Sequence, residues 1–171
     1  MVSTTCKELT QDILKEHLSY CPITGIFKRL QLSKYANKWG IGDIAGADNG
    51  KGYIQLYLLG KVYLAHKLAF LYMTGSIPDL IDHIDLNRSN NSWDNLREAT
   101  RNQNQYNRKA NKNTKSGHKN ITWHNRDKVY QVRIGYKGSE VYLGRFKELD
   151  KAIEAASLGR EKYHKEFKRH T

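Results

Sequence analysis

An aspartate followed directly by a histidine, Asp82-His83, opens a stretch in which Asn95 and Asn104 recur at wide spacing. These side-chain types suit hydrolysis of a phosphodiester. A neutral imidazole takes a proton from water near pH 7. A divalent cation polarises the phosphate and stabilises the leaving oxygen, and it binds hard oxygen donors such as a carboxylate. Adjacent residues on a regular strand point to opposite faces, so Asp82 and His83 reach one phosphate only if the strand bends there. Asn104 has to come from another element, and Asn95 stands where its amide can bridge a hairpin backbone.

The surrounding charge sharpens this reading. The chain has 171 residues and a net charge of +12, with 29 Lys and Arg against 17 Asp and Glu. That favours a polyanionic partner, nucleic acid before an acidic membrane surface. Between Arg97 and Lys137 eleven basic residues face two acidic ones, whereas Asp79 to Asp94 holds four Asp and a single Arg. An acidic island in a basic chain is either a solvated loop or a cation site. Mean hydropathy is −0.75, so any core is modest and divided. Still, 11 Tyr and 3 Trp supply aromatic surface to bury. Cys6 and Cys21 form no C-x-x-C pair, which removes a zinc ribbon and a disulfide framework. The apolar run from Val62 to Met73 is broken by His66 and Lys67 and is too short for a bilayer. No signal-peptide pattern is visible, and the expectation is a soluble protein of the reducing cytoplasm.

The elements that must position these residues read as α+β. An amphipathic helix is expected over residues 8–19, with Thr10 as cap. Turn chemistry follows over Tyr20 to Gly25, then a short strand Ile26 to Lys28 and a polar loop over 31–51. Alternation around Gly60 predicts a hairpin of Tyr53 to Leu59 and Lys61 to Leu64. A helix from His66 to Thr74 stops at Gly75. A strand over Leu80 to Leu86, a turn over Asn87 to Ser92 and a return strand over Asn95 to Ala99 come next. Thr100 and Gln103 form a capping-box pattern, so a helix starts near Arg101. Residues 107–117 are a basic linker, read equally as a solvated tether or as a segment ordered on DNA. Three strands are then expected, Ile121 to His124, Val129 to Ile134 and Glu140 to Phe146. A helix from about Leu149 to Phe167 completes the chain.

The run from Asp82 to Asn107 resembles the ββα-metal motif of phage-type HNH endonucleases. The likeness rests on Asp82-His-Ile-Asp, Asn90-Asn91, Asn95-Leu-Arg, Ala99-Thr and Asn104-x-x-Asn107. Tyr20 to Phe27, Gly52-Tyr53 and Ala65-His-Lys-Leu-Ala69 extend it to roughly residues 15–107. Leu86 departs from it, standing where the family often has Gly, and so does Lys67, where many relatives have Arg. The resemblance implies that His83 is the general base and that Asp82 and Asn104 ligate the metal. It also implies that Asn95 braces the hairpin as the second catalytic residue. His66 matches a recurrent histidine whose role is left open between core packing and a phosphate contact. The cofactor implied is Mg²⁺ or Mn²⁺ and not zinc. Arg97, Arg101 and Arg108 are candidates for the flanking phosphates.

Residues 116–167 resemble the DNA-binding domain of plant ethylene-response factors. The likeness is carried by Lys119-Asn-Ile-Thr-Trp123, Tyr130-Gln-Val-Arg-Ile134, Tyr142-Leu-Gly-Arg-Phe146 and an alanine-rich helix. It implies a DNA-reading sheet face presenting Lys119, Thr122, Trp123, Arg126, Lys128, Gln131, Arg133 and Tyr142. Asn120 replaces the family's usual Gly. The organisation expected is a nuclease domain over 1–106, the linker over 107–117 and the DNA-binding domain over 118–171. The function expected is a metal-dependent, site-preferring endonuclease of the homing type, acting as a monomer on double-stranded DNA. No membrane or small-molecule substrate is implied. The alternatives are a non-catalytic DNA-binding regulator with a degenerate site and a phage nuclease for DNA packaging or host-DNA degradation.

Overall fold

The computed structural model describes residues 8–32, 39–107 and 115–167. It is α+β, with small antiparallel sheets and four α-helices among the described residues. The chain separates into two compact units, Met1–Glu98 and Ala99–Thr171. No described helix is long and apolar enough to cross a membrane.

In the first unit α1 (Gln11–His17) starts at Thr10, whose hydroxyl accepts from the Ile13 amide at 3.3 Å. The amphipathic pattern predicts a helix through Ser19, but the chain leaves it at His17. Leu18 is extended, and Leu18 and Tyr20 are buried in alternation along β1 (Leu18–Cys21), which pairs with β2 (Ile26–Arg29). Two-residue periodicity here wins over the helical one. The segment expected as loop over 31–51 contains two short strands, β3 (Ile44–Ala45) and β4 (Ala47–Asp48). Strand β3 extends the first sheet and β4 begins the next, with Gly46 between them at φ 111°. Two-residue strands carry no readable periodicity.

The second sheet has the order β4, β5 (Ile54–Leu58), β6 (Lys61–Leu64). Strand β6 runs directly into α2 (Ala65–Thr74), which ends at Gly75 in the left-handed region, its amide bonded to the Leu71 carbonyl. Both sheets pack on this helix through Leu14, Phe27, Leu56, Leu68 and Leu71, all nearly inaccessible. A third, two-stranded sheet joins β7 (Ile81–His83) to β8 (Leu96–Glu98), with a 3₁₀ turn over Trp93–Asn95 before β8. Strand β7 is shorter than the 80–86 pattern predicts, because the chain turns after His83 and Leu86 takes φ 65°. That is the conformation glycine adopts without cost.

The second unit starts with α3 (Arg101–Asn107). Its capping box forms in full: the Thr100 amide donates to Gln103 Oε1 at 2.8 Å, and the Gln103 amide to Thr100 Oγ1 at 3.3 Å. The compact unit that contains this helix begins at Ala99. Tyr106 stacks on His164 with ring centroids 3.9 Å apart, and its hydroxyl accepts from the Lys137 amide. Strands β9 (Ile121–His124), β10 (Val129–Tyr136) and β11 (Ser139–Phe146) form one antiparallel sheet with β10 central. The β10–β11 turn is only Lys137-Gly138, both at positive φ, which suits the twist of a two-residue hairpin. It is tighter than the expected 135–139 connection. Helix α4 (Leu149–His164) lies on one face of the sheet over Val132, Ile134 and Ile121, and a 3₁₀ turn, Lys165–Phe167, follows it. The approach is so close that a Cβ on Gly159 would collide with the Leu143 and Ile134 side chains.

Candidate functional site

The β7–β8 hairpin and the loop between its strands carry the candidate chemistry of the first unit. The loop is stitched by its own polar side chains. Asp85 accepts from the Asn87 amide at 2.7 Å and from Asn90 Nδ2 at 2.8 Å, and Asn90 and Asn87 accept from amides two residues further on. This is the local bonding that makes Asn and Asp good turn residues. Burial pushes the Asp85 carboxyl up, but the bonds from Asn90, the Asn87 amide and Asn95 outweigh it and hold it below its ordinary value.

Asn95 sits at the centre of this stitching. Its amide oxygen accepts from the Asp85 amide at 3.0 Å. Its nitrogen donates to Asp85 Oδ1 at 2.9 Å and to the Asn90 carbonyl at 2.8 Å. Its own carbonyl accepts from the Ile84 amide at 2.9 Å. One buried side chain thus closes both ends of the loop immediately after His83.

Asp82 and His83 are both buried, and they take different partners. Asp82 stands across the ladder from Arg97, which donates from Nε at 3.0 Å and from Nη2 at 2.7 Å to its Oδ2. His83 has its Nε2 3.5 Å from Asn91 Oδ1, and its ring lies edge-on to His66, centroids 5.1 Å apart. Tyr53 packs against both histidines, at 5.4 Å and 6.1 Å, and carries the Arg88 guanidinium on its ring at 4.8 Å. Burial lowers the His83 pKa, against the opposing pull of Asn91 and the nearby carboxylates of Asp85 and Asp82. The imidazole is therefore neutral at pH 7 and fit to accept a proton.

The first sheet buttresses this loop from below. The Tyr20 hydroxyl donates to the Asn91 carbonyl at 2.7 Å, and burial pushes its pKa up to about 12. The Trp93 amide donates to the Pro22 carbonyl at 2.8 Å. Gly25 passes so close to Asn91 and Ser92 that a Cβ there would overlap their backbone atoms. Sequence reading missed Tyr53, Arg88, Asn91, Tyr20 and Gly25 as supports. Gly52-Tyr53, Asn90-Asn91 and the stretch Tyr20 to Phe27 all lay inside the resembling segments, which was the available signal.

The structure thus gathers Asp82, His83, Asn95, Arg97 and His66 into the first unit. Asn104 and Arg101 stand on α3 in the second unit, and Arg108 lies outside the described residues. A carboxylate and carboxamides are hard oxygen donors of the kind Mg²⁺ or Mn²⁺ accepts. Among the described residues no group of three or more His, Cys, Asp or Glu is placed to hold a metal ion. The donor chemistry fits a divalent cation that keeps water and phosphate oxygens in its shell.

In the second unit the sheet face away from α4 is polar. Arg133 and Tyr142 are exposed cross-strand neighbours, with Thr122 exposed on β9. Gln131 is buried. With its amide oriented to suit its neighbours, it donates to His124 Nε2 at 2.9 Å and accepts from Arg133 Nε at 3.3 Å and Nη2 at 3.1 Å. It therefore supports Arg133, and it also lines the concavity on this face. Arg133 also donates to Glu140 at 3.0 Å, and a concavity of about 470 Å³ opens among Asn120, Thr122, His124, Arg133 and Glu140. Lys119 is held by the Tyr106 carbonyl, Arg126 pairs with Asp127, and Trp123 packs half-buried on Tyr130. Lys128 is exposed in the β9–β10 turn. Arg145, beside Gln131 on β11 and bonded to Asp127 at 3.0 Å, joins this surface without having been singled out in the sequence.

Comparison with known proteins bears on the first of these surfaces. Residues 63–106 match the HNH endonuclease family. An uncharacterised HNH endonuclease of Acanthamoeba polyphaga mimivirus is 40% identical over 86 residues, which are 49% of this chain and 41% of that protein. The chain thus covers less than half the length of this curated relative, which comes from a giant virus. No solved structure matches. The part of the chain that is similar to HNH endonucleases is the part that carries His66, Asp82, His83, Asn95, Arg97 and Asn104.

Proposed function

We propose that this protein is a metal-dependent endonuclease that hydrolyses phosphodiester bonds in double-stranded DNA. The observation that carries the reading is His83. It is a buried, neutral imidazole, directly after a buried carboxylate, at the end of a strand whose turn is fixed by Asn95, within the family-matching residues. His83 takes the proton of the attacking water. Asn95 keeps the turn that follows His83 from relaxing. Asp82 and Asn104 are the residues that would hold Mg²⁺ or Mn²⁺, which supplies charge stabilisation at the phosphate and the leaving oxygen. Arg97 and Arg101, with Arg88, would meet flanking phosphates. The second unit grips the duplex through Arg133, Thr122, Tyr142 and Arg145, giving a site preference of the homing kind. The net charge of +12 favours this polyanionic partner. One such centre handles one strand at a time, so a monomer nicks.

A second reading is favoured by one observation. The Arg97 bond to Asp82 Oδ2 occupies an oxygen that a cation needs. If that bond persists on DNA, the protein binds without cutting.

Incubation with supercoiled plasmid in Mg²⁺ or in EDTA separates the two. Open-circle product in Mg²⁺ alone, abolished in His83→Ala with gel-shift affinity retained, is the expected result. Undiminished nicking by His83→Ala refutes the assigned base, and a wild-type protein that binds but never nicks establishes the second reading.

A further inference from the structure

His66 is more than nine-tenths buried, and its Nδ1 has no hydrogen-bond partner. A buried polar atom left unpaired destabilises a fold, and such atoms are rare in folded proteins. A core histidine would normally bond a carbonyl or a hydroxyl. This one instead packs against aromatic surface, with the His83 ring at 5.1 Å and the Tyr53 ring at 5.4 Å. Burial first, then the neighbouring His83 and Lys67, lower its pKa to about 4. It is therefore a neutral imidazole, able to donate one hydrogen bond without a charge to desolvate.

The environment around it suits an anion. His66 stands in the first turn of α2, where Leu64 provides no side-chain cap and no acidic residue is present. The amides of that turn carry the partial positive charge of the helix end. Lys67 follows it in the chain, and the Arg88 guanidinium lies on the far partner of the same aromatic group, Tyr53. A buried unpaired donor at an uncapped helix start, packed on an aromatic ring that carries a guanidinium, is what a phosphate group would satisfy.

We propose that His66 is a second substrate-contacting imidazole, whose Nδ1–H donates to a non-bridging oxygen of the phosphate attacked by the water that His83 deprotonates. The inference rests on the nuclease reading and deepens it. The two histidines divide the work. His83 exchanges a proton with water, and His66 binds the phosphate and exchanges none.

Three full-length variants test this. His66→Phe keeps the ring and removes both nitrogens. His66→Asn returns an N–H near the position of Nδ1, and His66→Gln returns one nearer Nε2. The expected result is a kcat for plasmid nicking at least 100-fold lower in His66→Phe, with gel-shift affinity within threefold and thermal stability unreduced. His66→Asn recovers tenfold or more of that loss, and His66→Gln does not. Nicking by His66→Phe within threefold of wild type overturns the proposal, and equal rescue by His66→Gln overturns the assignment to Nδ1. An independent readout needs no cleavage. In ¹⁵N-histidine-labelled wild-type protein in EDTA, a short DNA duplex is expected to shift the His66 Nδ1 resonance, and inorganic phosphate to shift it in the same direction. An unmoved resonance at saturating duplex overturns the proposal. A shifted resonance in a protein that never nicks leaves this contact standing and sinks the nuclease reading alone.

Discussion

Arg97 and Asp82 form an ion pair at 2.7 Å, with 16% and 3% of their side-chain surfaces exposed. Removing one partner leaves a charge in a dry place, which costs about 3–5 kcal/mol when the pair is fully buried and less here. Arg97→Met is therefore expected to lower stability by about 2–4 kcal/mol in EDTA. Millimolar Mg²⁺ should restore part of that loss, because a cation at Asp82 replaces the missing guanidinium. Thermal melts of wild type and variant with and without Mg²⁺ check both halves. The two buried histidines make acid destabilising. Their pKa values are lowered in the folded state, so the unfolded chain binds protons first as pH falls below about 6.5. For His66, whose folded value is about 4, stability falls between pH 6.5 and 4 by on the order of 3 kcal/mol and then levels off. His66→Phe should flatten that part of the stability profile, measured by urea unfolding at each pH. The depressed Asp85 acts lower, its contribution being lost only as pH drops through its own folded value. At this scale residue types and spacing single out Asp82, His83, Asn95 and Asn104 as candidates, and the structure puts the first three in one unit and Asn104 in the other. They could not show that Asp82 is already paired or that His66 Nδ1 is unpaired, because both facts depend on side chains contributed by other strands and by α2.

Local elements were readable where one side chain bonds within a few residues. The Thr10 cap, the Thr100–Gln103 capping box and the stop at Gly75 all form as their sequence patterns predict. Strands β1, β3 and β4 were not, because a four-residue strand after a helix and two-residue strands give too little alternation to see. The support of the catalytic loop by the β1–β2 hairpin is the least legible feature. It joins Tyr20 to Asn91 across 71 positions and depends on Gly25 having no side chain. Gly25→Ala adds a Cβ at φ 71° against the Asn91 backbone. It should destabilise the protein by about 2 kcal/mol or more and displace Asn91 from His83. Nicking should drop at least tenfold at temperatures where circular dichroism still shows a folded chain. An alanine variant with wild-type stability and rate would show that the buttress carries no strain.

At the level of the whole molecule, excess positive charge is the best guide to the partner and is also measurable. Each phosphate neutralised by a cationic side chain contributes about −0.9 to the slope of log affinity against log salt. Arg133→Ala is expected to reduce that slope by about 1 and to weaken binding across all duplex sequences. Glu140→Gln releases the guanidinium from its carboxylate partner and should strengthen binding severalfold at low salt. Fluorescence anisotropy over 50–300 mM salt tests both, and an unchanged slope for Arg133→Ala would remove this face from the DNA.

The missing side chain at Gly159 has one more effect. Helix and sheet meet at Gly159 through the Ile134 and Leu143 side chains, so a side chain there would force both to shift. The outward positions Thr122, Arg133 and Tyr142 bear no such load. If the proposed grip is right, a lineage retargets the protein by exchanging those three residues, with the fold kept and a new address in a genome gained.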